Sequence, residues 1–213
     1  MAELNKYIFP FTTCEPKSTN AYIAQPYSFS INVLACLVLL YFLLQDYPLS
    51  TKLIILAILI FEIWHAISHA IHLPNINYMR IIHYLFYLII ASFVYYIYDH
   101  KPDKFFNLPI ITYLVIVFAI FIDTYLLFWI KGGYSVISGI LLFAIVLISF
   151  WSLLPINLKN HCFTLLGLIL LGIVLFINEY YNCEKMLSLL PLPYHALVEI
   201  VVFTSFMVLI INL

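Results

Sequence analysis

The sequence predicts an all-α membrane protein, a seven-transmembrane helix bundle, and three observations support this prediction. Hydrophobic residues make up 65% of the 213-residue chain, and the mean hydropathy is +1.08. Charged residues make up only 9%, whereas soluble domains carry about 25%. Seven apolar stretches each approach the roughly 20 residues that a helix needs to cross a bilayer. These values exclude an ordinary soluble domain.

The seven stretches are bounded by charged residues, proline or asparagine. They cover residues 28–45, 52–73, 78–98, 107–130, 134–154, 161–179 and 194–212. The connections between them are short, and the longest, residues 180–193, surrounds Glu184 and Lys185. We therefore expect one domain over residues 1–213. Its polar N-terminal tail, residues 1–27, lacks the apolar run behind a basic start that marks a cleavable signal peptide.

Charge says little about partners or orientation. The net charge of −1 gives no basic surface for nucleic acid. Lysine and arginine divide five to four between the two faces, so the positive-inside rule assigns no orientation. The sequence also leaves the membrane and the oligomeric state open. Seven passes nevertheless place the end of the second stretch and the starts of the third and seventh stretches on the tail's face.

Ionisable side chains occur within these stretches, where a charged group is costly and marks an interior site. They are Glu62, His65, His69 and His72 with Ser68 in the second stretch, His83 in the third, Asp123 in the fourth, and His195 and Glu199 in the seventh. The second-stretch residues fall within an arc of about 120° at helical periodicity. The seventh-stretch pair has the i, i+4 spacing that puts both side chains on one face.

Histidine and carboxylate at this spacing suit a transition metal such as zinc. His72, His83 and His195 lie at the three helix ends that share the tail's face. The alternative is that each histidine donates a hydrogen bond between helices. His69 and Asp123 are candidates to hydrogen-bond the metal ligands without binding the metal themselves. Otherwise Asp123 would be an interior hydrogen-bond partner or part of a proton path.

Short motifs at helix ends carry a family resemblance. They are Cys14-Glu15-Pro16 and Tyr22-Ile23-Ala24-Gln25 in the tail, Ser68-x-x-x-His72 in the second stretch and Tyr194-His195-Ala196-Leu197 in the seventh. With these motifs in this order, the chain resembles the alkaline ceramidase family. That family consists of seven-pass, metal-dependent membrane hydrolases related to the adiponectin receptors.

The resemblance implies a zinc site and catalytic residues. His72 and His195 would bind zinc, and Glu199 would replace the family's third histidine ligand. Zinc in such a site lowers the pKa of bound water toward about 7. Ser68 would stabilise the oxyanion. His83 stands where the family has aspartate, and it would either act on the water or become a fourth ligand that closes the site.

The family's calcium site near the tail is only partly matched. Glu15 agrees with the family pattern and is a possible calcium ligand, whereas Gln25 stands where a glutamate is expected.

Two functions follow as expectations. The first is a ceramidase-like hydrolase that cleaves the carbon–nitrogen bond of a ceramide or another N-acyl lipid, the substrate entering from the bilayer. The second is a non-catalytic protein of the same scaffold that binds lipid or a partner, with or without a structural metal. A retinal protein is excluded, since residues 194–212 contain no lysine. A haem protein fits the motifs less well, and no inverted repeat indicates a transporter.

The chain has four cysteines and no Cys-x-x-Cys motif, so a thiolate zinc site is not expected. Cys14 in the tail and Cys183 in the connection before the seventh stretch share one face. They would form a disulfide if that face is lumenal or extracellular, and the sequence leaves this open.

Overall fold

A computed structural model describes residues 14, 23, 25–71, 76–129, 134–189 and 192–213, with the backbone alone at 76–80, 127–129, 134–137 and 180. Every regular element within these ranges is a helix, and no strand occurs in them. The all-α prediction is therefore confirmed for the part of the chain that the structure describes.

In the described part of the chain, seven helices of 16 residues or more follow one another. They are α1 Pro26–Leu43, α2 Leu49–Ala70, α3 Ile76–His100, α4 Ile110–Trp129, α5 Tyr134–Ser149, α6 Cys162–Leu189 and α7 Tyr194–Ile211. One-turn helices at Pro102–Phe106 and Ile156–Asn160 and a 3₁₀ turn at Trp151–Leu153 occupy two of the connections.

Five of these helices are long and apolar enough to cross a membrane. They are α1, α2, α7, residues Ile81–His100 of α3 and residues Cys162–Glu179 of α6. The apolar segments described in α4 and α5, Ile110–Leu126 and Ser138–Ser149, are shorter. Large apolar side chains such as Phe118 and Phe121 of α4 are exposed, as expected for contact with lipid.

Proline sets several helix starts. Pro26 lies in the first turn of α1, and Pro48 and Pro193 immediately precede α2 and α7. Proline is favourable there because the first turn of a helix has no acceptor for its amide hydrogens. Pro193 thus sets the start of α7 at Tyr194, five residues before Glu199.

The sixth helix differs from the prediction. The apolar stretch was expected to end at residue 179, but α6 continues ten residues further, to Leu189. Residues 180–189 contain neither glycine nor proline, and the next helix breaker is Pro191. Cys183 and Glu184 thus lie in a helix, and their predicted place in a connection was wrong.

Helix packing brings the end of α2 beside the start of α7. Successive helices α1 and α2, α2 and α3, and α6 and α7 pack together, and α7 also contacts α1 and α2. Phe61, Phe86 and Phe206 join α2, α3 and α7, with ring centroids 5.0 and 5.7 Å from Phe61. Phe61, at the centre of this contact, precedes His65 by about one turn of α2.

Candidate metal centre

Three imidazoles surround one carboxylate where α2 and α7 meet. Glu199 is buried, with 4% of its surface exposed. Its Oε1 atom lies 3.2 Å from His69 Nε2 and 3.1 Å from His195 Nε2. Its Oε2 atom lies 3.5 Å from His65 Nδ1. We call His65, His69, His195 and Glu199 the Glu199 cluster.

Helical spacing explains this convergence. His65 and His69 are separated by four residues on α2, as are His195 and Glu199 on α7, so each pair occupies one face over about one turn. The ring centroids lie 5.4 Å apart for His65 and His69, and 5.0 Å apart for His69 and His195 across the helix interface. Two i, i+4 pairs on neighbouring helices thus form one centre.

Residues outside the cluster orient two of its imidazoles. His195 Nδ1 donates a hydrogen bond to the buried carboxylate of Glu179 on α6, at 2.8 and 3.0 Å from the two oxygens. His69 Nδ1 lies 2.6 Å from the Gln25 side-chain oxygen Oε1, and the backbone N–H of Gln25 donates to the His69 carbonyl at 3.0 Å. Such outer partners fix which ring nitrogen faces a bound metal.

Glu179 was not predicted from the sequence as a site residue. It lies at the last position of the predicted sixth stretch, where a carboxylate reads as the polar end of a span. Its 1% exposure and its contact with His195 reveal the role. The signal that the sequence offered was a glutamate at the end of a predicted span.

A disulfide joins the tail to α6 beside this site. Cys14 and Cys183 are bonded, with their Cα atoms 5.3 Å apart. Cys183 is one turn beyond Glu179, and Cys14 Sγ lies 3.9 Å from the Glu179 carbonyl oxygen. The disulfide therefore holds Cys14 against α6, which carries Glu179, and Gln25 lies against α2, which carries His69.

The donor set fits a transition metal. One ligand atom each from His65, His69 and Glu199 lies within 4.8 Å of the other two. His195 is flanked by carboxylates on both ring nitrogens, yet a neutral imidazole carries only one N–H. A second ring proton or a metal ion between Nε2 and Glu199 would satisfy both contacts. Nitrogen and oxygen donors of this kind suit zinc.

Two of the three predicted metal ligands lie in the described part of the chain. His195 and Glu199 lie together, whereas His72 lies outside the described residues, so its role as a ligand stays a prediction. Glu15, the possible calcium ligand, also lies outside them. His69, expected to support the ligands, faces Glu199 directly, and His65 joins it.

The two predicted catalytic side chains have other partners. The Ser68 hydroxyl donates to the His65 carbonyl within α2, at 2.7 Å. His83 is not among the residues whose ligand atoms converge in the Glu199 cluster. Neither side chain is seen to face Glu199 in the described part of the chain.

His83 instead belongs to a second buried cluster, between α3, α4 and α5. His83 Nε2 lies 2.6 Å from Asp123 Oδ2, and the Tyr87 hydroxyl donates to the same oxygen at 2.6 Å. Ser138 also hydrogen-bonds Asp123. Gly139 packs against the His83 ring. We call His83, Tyr87, Asp123 and Ser138 the Asp123 cluster.

An apolar cavity of about 50 Å³ lies between α3, α5, α6 and α7. Phe86, Phe143, Leu165 and Phe206 are among its lining residues. Phe86 and Phe206 contact Phe61, whose ring centroid is 4.7 Å from that of His65. The Phe61 ring thus lies between two residues that line this cavity, Phe86 and Phe206, and His65 of the Glu199 cluster.

Comparison with protein-family models, with curated proteins and with solved structures finds no significant match for this chain.

Proposed function

We propose that the chain is a seven-pass integral membrane protein and a zinc-dependent hydrolase that cleaves the amide bond of a ceramide or another N-acyl lipid. The convergence of His65, His69 and His195 on the buried Glu199 carboxylate carries this proposal. The resemblance of the tail and helix-end motifs to alkaline ceramidases supplies the substrate class.

The Glu199 cluster supplies the donors for the metal. Glu199 and the three imidazoles that face it would supply the metal ligands, and Gln25 and Glu179 would orient His69 and His195 through their outer ring nitrogens. A bound zinc ion supplies a Lewis acid and a water with a lowered pKa. Hydrolysis adds the water oxygen to the acyl carbon and releases the amine and the fatty acid.

The acyl chain of the substrate would approach from the lipid-facing side. The apolar cavity beside Phe61 is too small for a whole acyl chain, so it would take only part of one. The exposed apolar surface of the helices supports access from the bilayer. Specificity among N-acyl lipids would depend on polar contacts at the headgroup.

A non-catalytic metal protein is the second candidate, and one observation favours it. The Ser68 hydroxyl bonds the His65 carbonyl within its own helix and His83 bonds Asp123, so neither predicted catalytic group is seen to face the Glu199 carboxylate in the described part of the chain. Such a protein would bind zinc without turning over N-acyl lipids.

Zinc content and fatty-acid release of the purified full chain test both candidates. We expect bound zinc and release of fatty acid from ceramide, and His69→Ala should abolish both. His161→Ala is the matched control, because the His161 side chain is exposed and hydrogen-bonds the Asn157 carbonyl in its own segment. Zinc without turnover would favour the non-catalytic protein. Less than a tenth of an equivalent of zinc would exclude the metal centre.

A further inference from the structure

The two oxygens of Glu199 face different groups. Oε1 faces the Nε2 atoms of His69 and His195, at 3.2 and 3.1 Å. Oε2 faces His65 Nδ1 at 3.5 Å. A carboxylate in this arrangement can bridge two cations, one at each oxygen.

Glu62 lies on α2 about one turn before His65, the residue that faces Glu199 Oε2. It precedes His65 by three residues on α2, which places the two side chains on adjacent positions of one face, about 4.5 Å apart along the axis. It is about 10.5 Å from His69 along the same axis. Glu62 is close enough to Glu199 for a direct electrostatic interaction. It therefore extends the His65 half of the cluster.

Glu62 is also a buried carboxyl group without a hydrogen-bond partner. Its exposure is 1%, and neither of its oxygens forms a hydrogen bond within the described part of the chain. Nearly all buried polar groups have partners, and a carboxylate at bilayer depth needs a cation. An ion at Glu199 Oε1 alone would leave Glu62 without one, whereas an ion at Oε2 would supply it.

We propose that the cluster binds two divalent transition-metal ions bridged by Glu199. The first ion takes His69, His195 and Glu199 Oε1, and the second takes His65, Glu62 and Glu199 Oε2. Glu62-x-x-His65 has the i, i+3 spacing by which helical bundles hold two-metal carboxylate centres. The proposal rests on the metal binding proposed above and adds a second ion and a new ligand, Glu62.

Metal stoichiometry tests this proposal without reference to activity. The purified full chain is stripped with a chelator, loaded with zinc and freed of excess metal, and zinc is counted per chain. We expect two equivalents in the wild type and one in Glu62→Gln, which keeps the volume of the side chain. Glu184→Gln, an exposed change on α6, is the matched control and should retain two.

Titration of the wild type with cobalt(II) guards against a folding defect in the variant. Two ions of different ligand sets should give two successive steps with distinct visible spectra. One equivalent of zinc, unchanged by Glu62→Gln, with a single cobalt step would overturn the second site and leave the proposed zinc hydrolase intact. No bound metal in the wild type would overturn both proposals.

Discussion

The Glu199 cluster and the Asp123 cluster both bury histidine against carboxylate, but they satisfy their polar groups differently. In the Asp123 cluster, the carboxylate oxygen Oδ2 accepts from the His83 imidazole and from the Tyr87 hydroxyl, so each of these donors has an acceptor, while Oδ1 forms no hydrogen bond within the described part of the chain. In the Glu199 cluster, one carboxylate faces three imidazoles, and His195 has a carboxylate at each ring nitrogen.

This difference shows what separates a metal site from a hydrogen-bond network. A buried histidine alone identifies neither, since both clusters contain one. The distinguishing feature is an imidazole with acceptors at both nitrogens, because its second acceptor needs a further proton or a metal ion. Substitutions in the two clusters and at Glu179 would show whether metal binding is confined to the Glu199 cluster.

Glu199→Ala should have the largest effect. It removes the one residue that contacts all three imidazoles, so zinc affinity should fall by more than about 100-fold. Competition with a chromophoric chelator measures the affinity, and size-exclusion chromatography checks folding. Full zinc content in a folded variant would show that the metal, if any, lies elsewhere.

Glu179→Gln should have an intermediate effect. The amide holds His195 less strongly than the carboxylate does, and loss of such an outer partner lowers metal affinity by about 10–100-fold. The same chelator competition measures it, with Glu184→Gln on the same helix as control. An unchanged affinity would reduce Glu179 to a packing role.

Asp123→Asn should leave the zinc content unchanged and lower the free energy of unfolding by about 1–3 kcal/mol. The charged acceptor shared by His83 and Tyr87 is lost, and the amide cannot accept equally from both. Unfolding in mixed detergent micelles measures the stability. Loss of zinc in this variant would contradict the separation of the two clusters.

Gly139→Ala should have the smallest effect, a loss of about 1 kcal/mol. A Cβ atom at this position would lie 3.3 Å from His83 Cε1, so the ring must shift slightly against Asp123. Gly167→Ala is the control, because in the described part of the chain no group other than the backbone of its own helix lies within 4 Å of its Cβ position. The difference between the two variants isolates the contact with His83, and equal stabilities would show that the ring has room to move.

Local spacing made part of the site predictable. The i, i+4 spacing of His195 and Glu199 and the polar stripe on α2 follow from helical geometry, and five of the expected spans are present. The partner of His83 was not predictable, because hydropathy locates a residue in depth but does not specify how its helix is rotated. The continuation of α6 was missed because hydropathy marks where a span leaves the apolar layer, while the helix itself ends only at a breaker.

The sequence by itself determined that the chain is helical and apolar, and it predicted that five of the seven histidines lie near one set of helix ends. Those properties depend on residues close together in the chain. Only the tertiary structure decided that Glu179 supports His195, that His65 and His69 face Glu199, and that Asp123 holds His83. Each of these contacts joins different helices, and their choice depends on how the helices rotate and pack against one another.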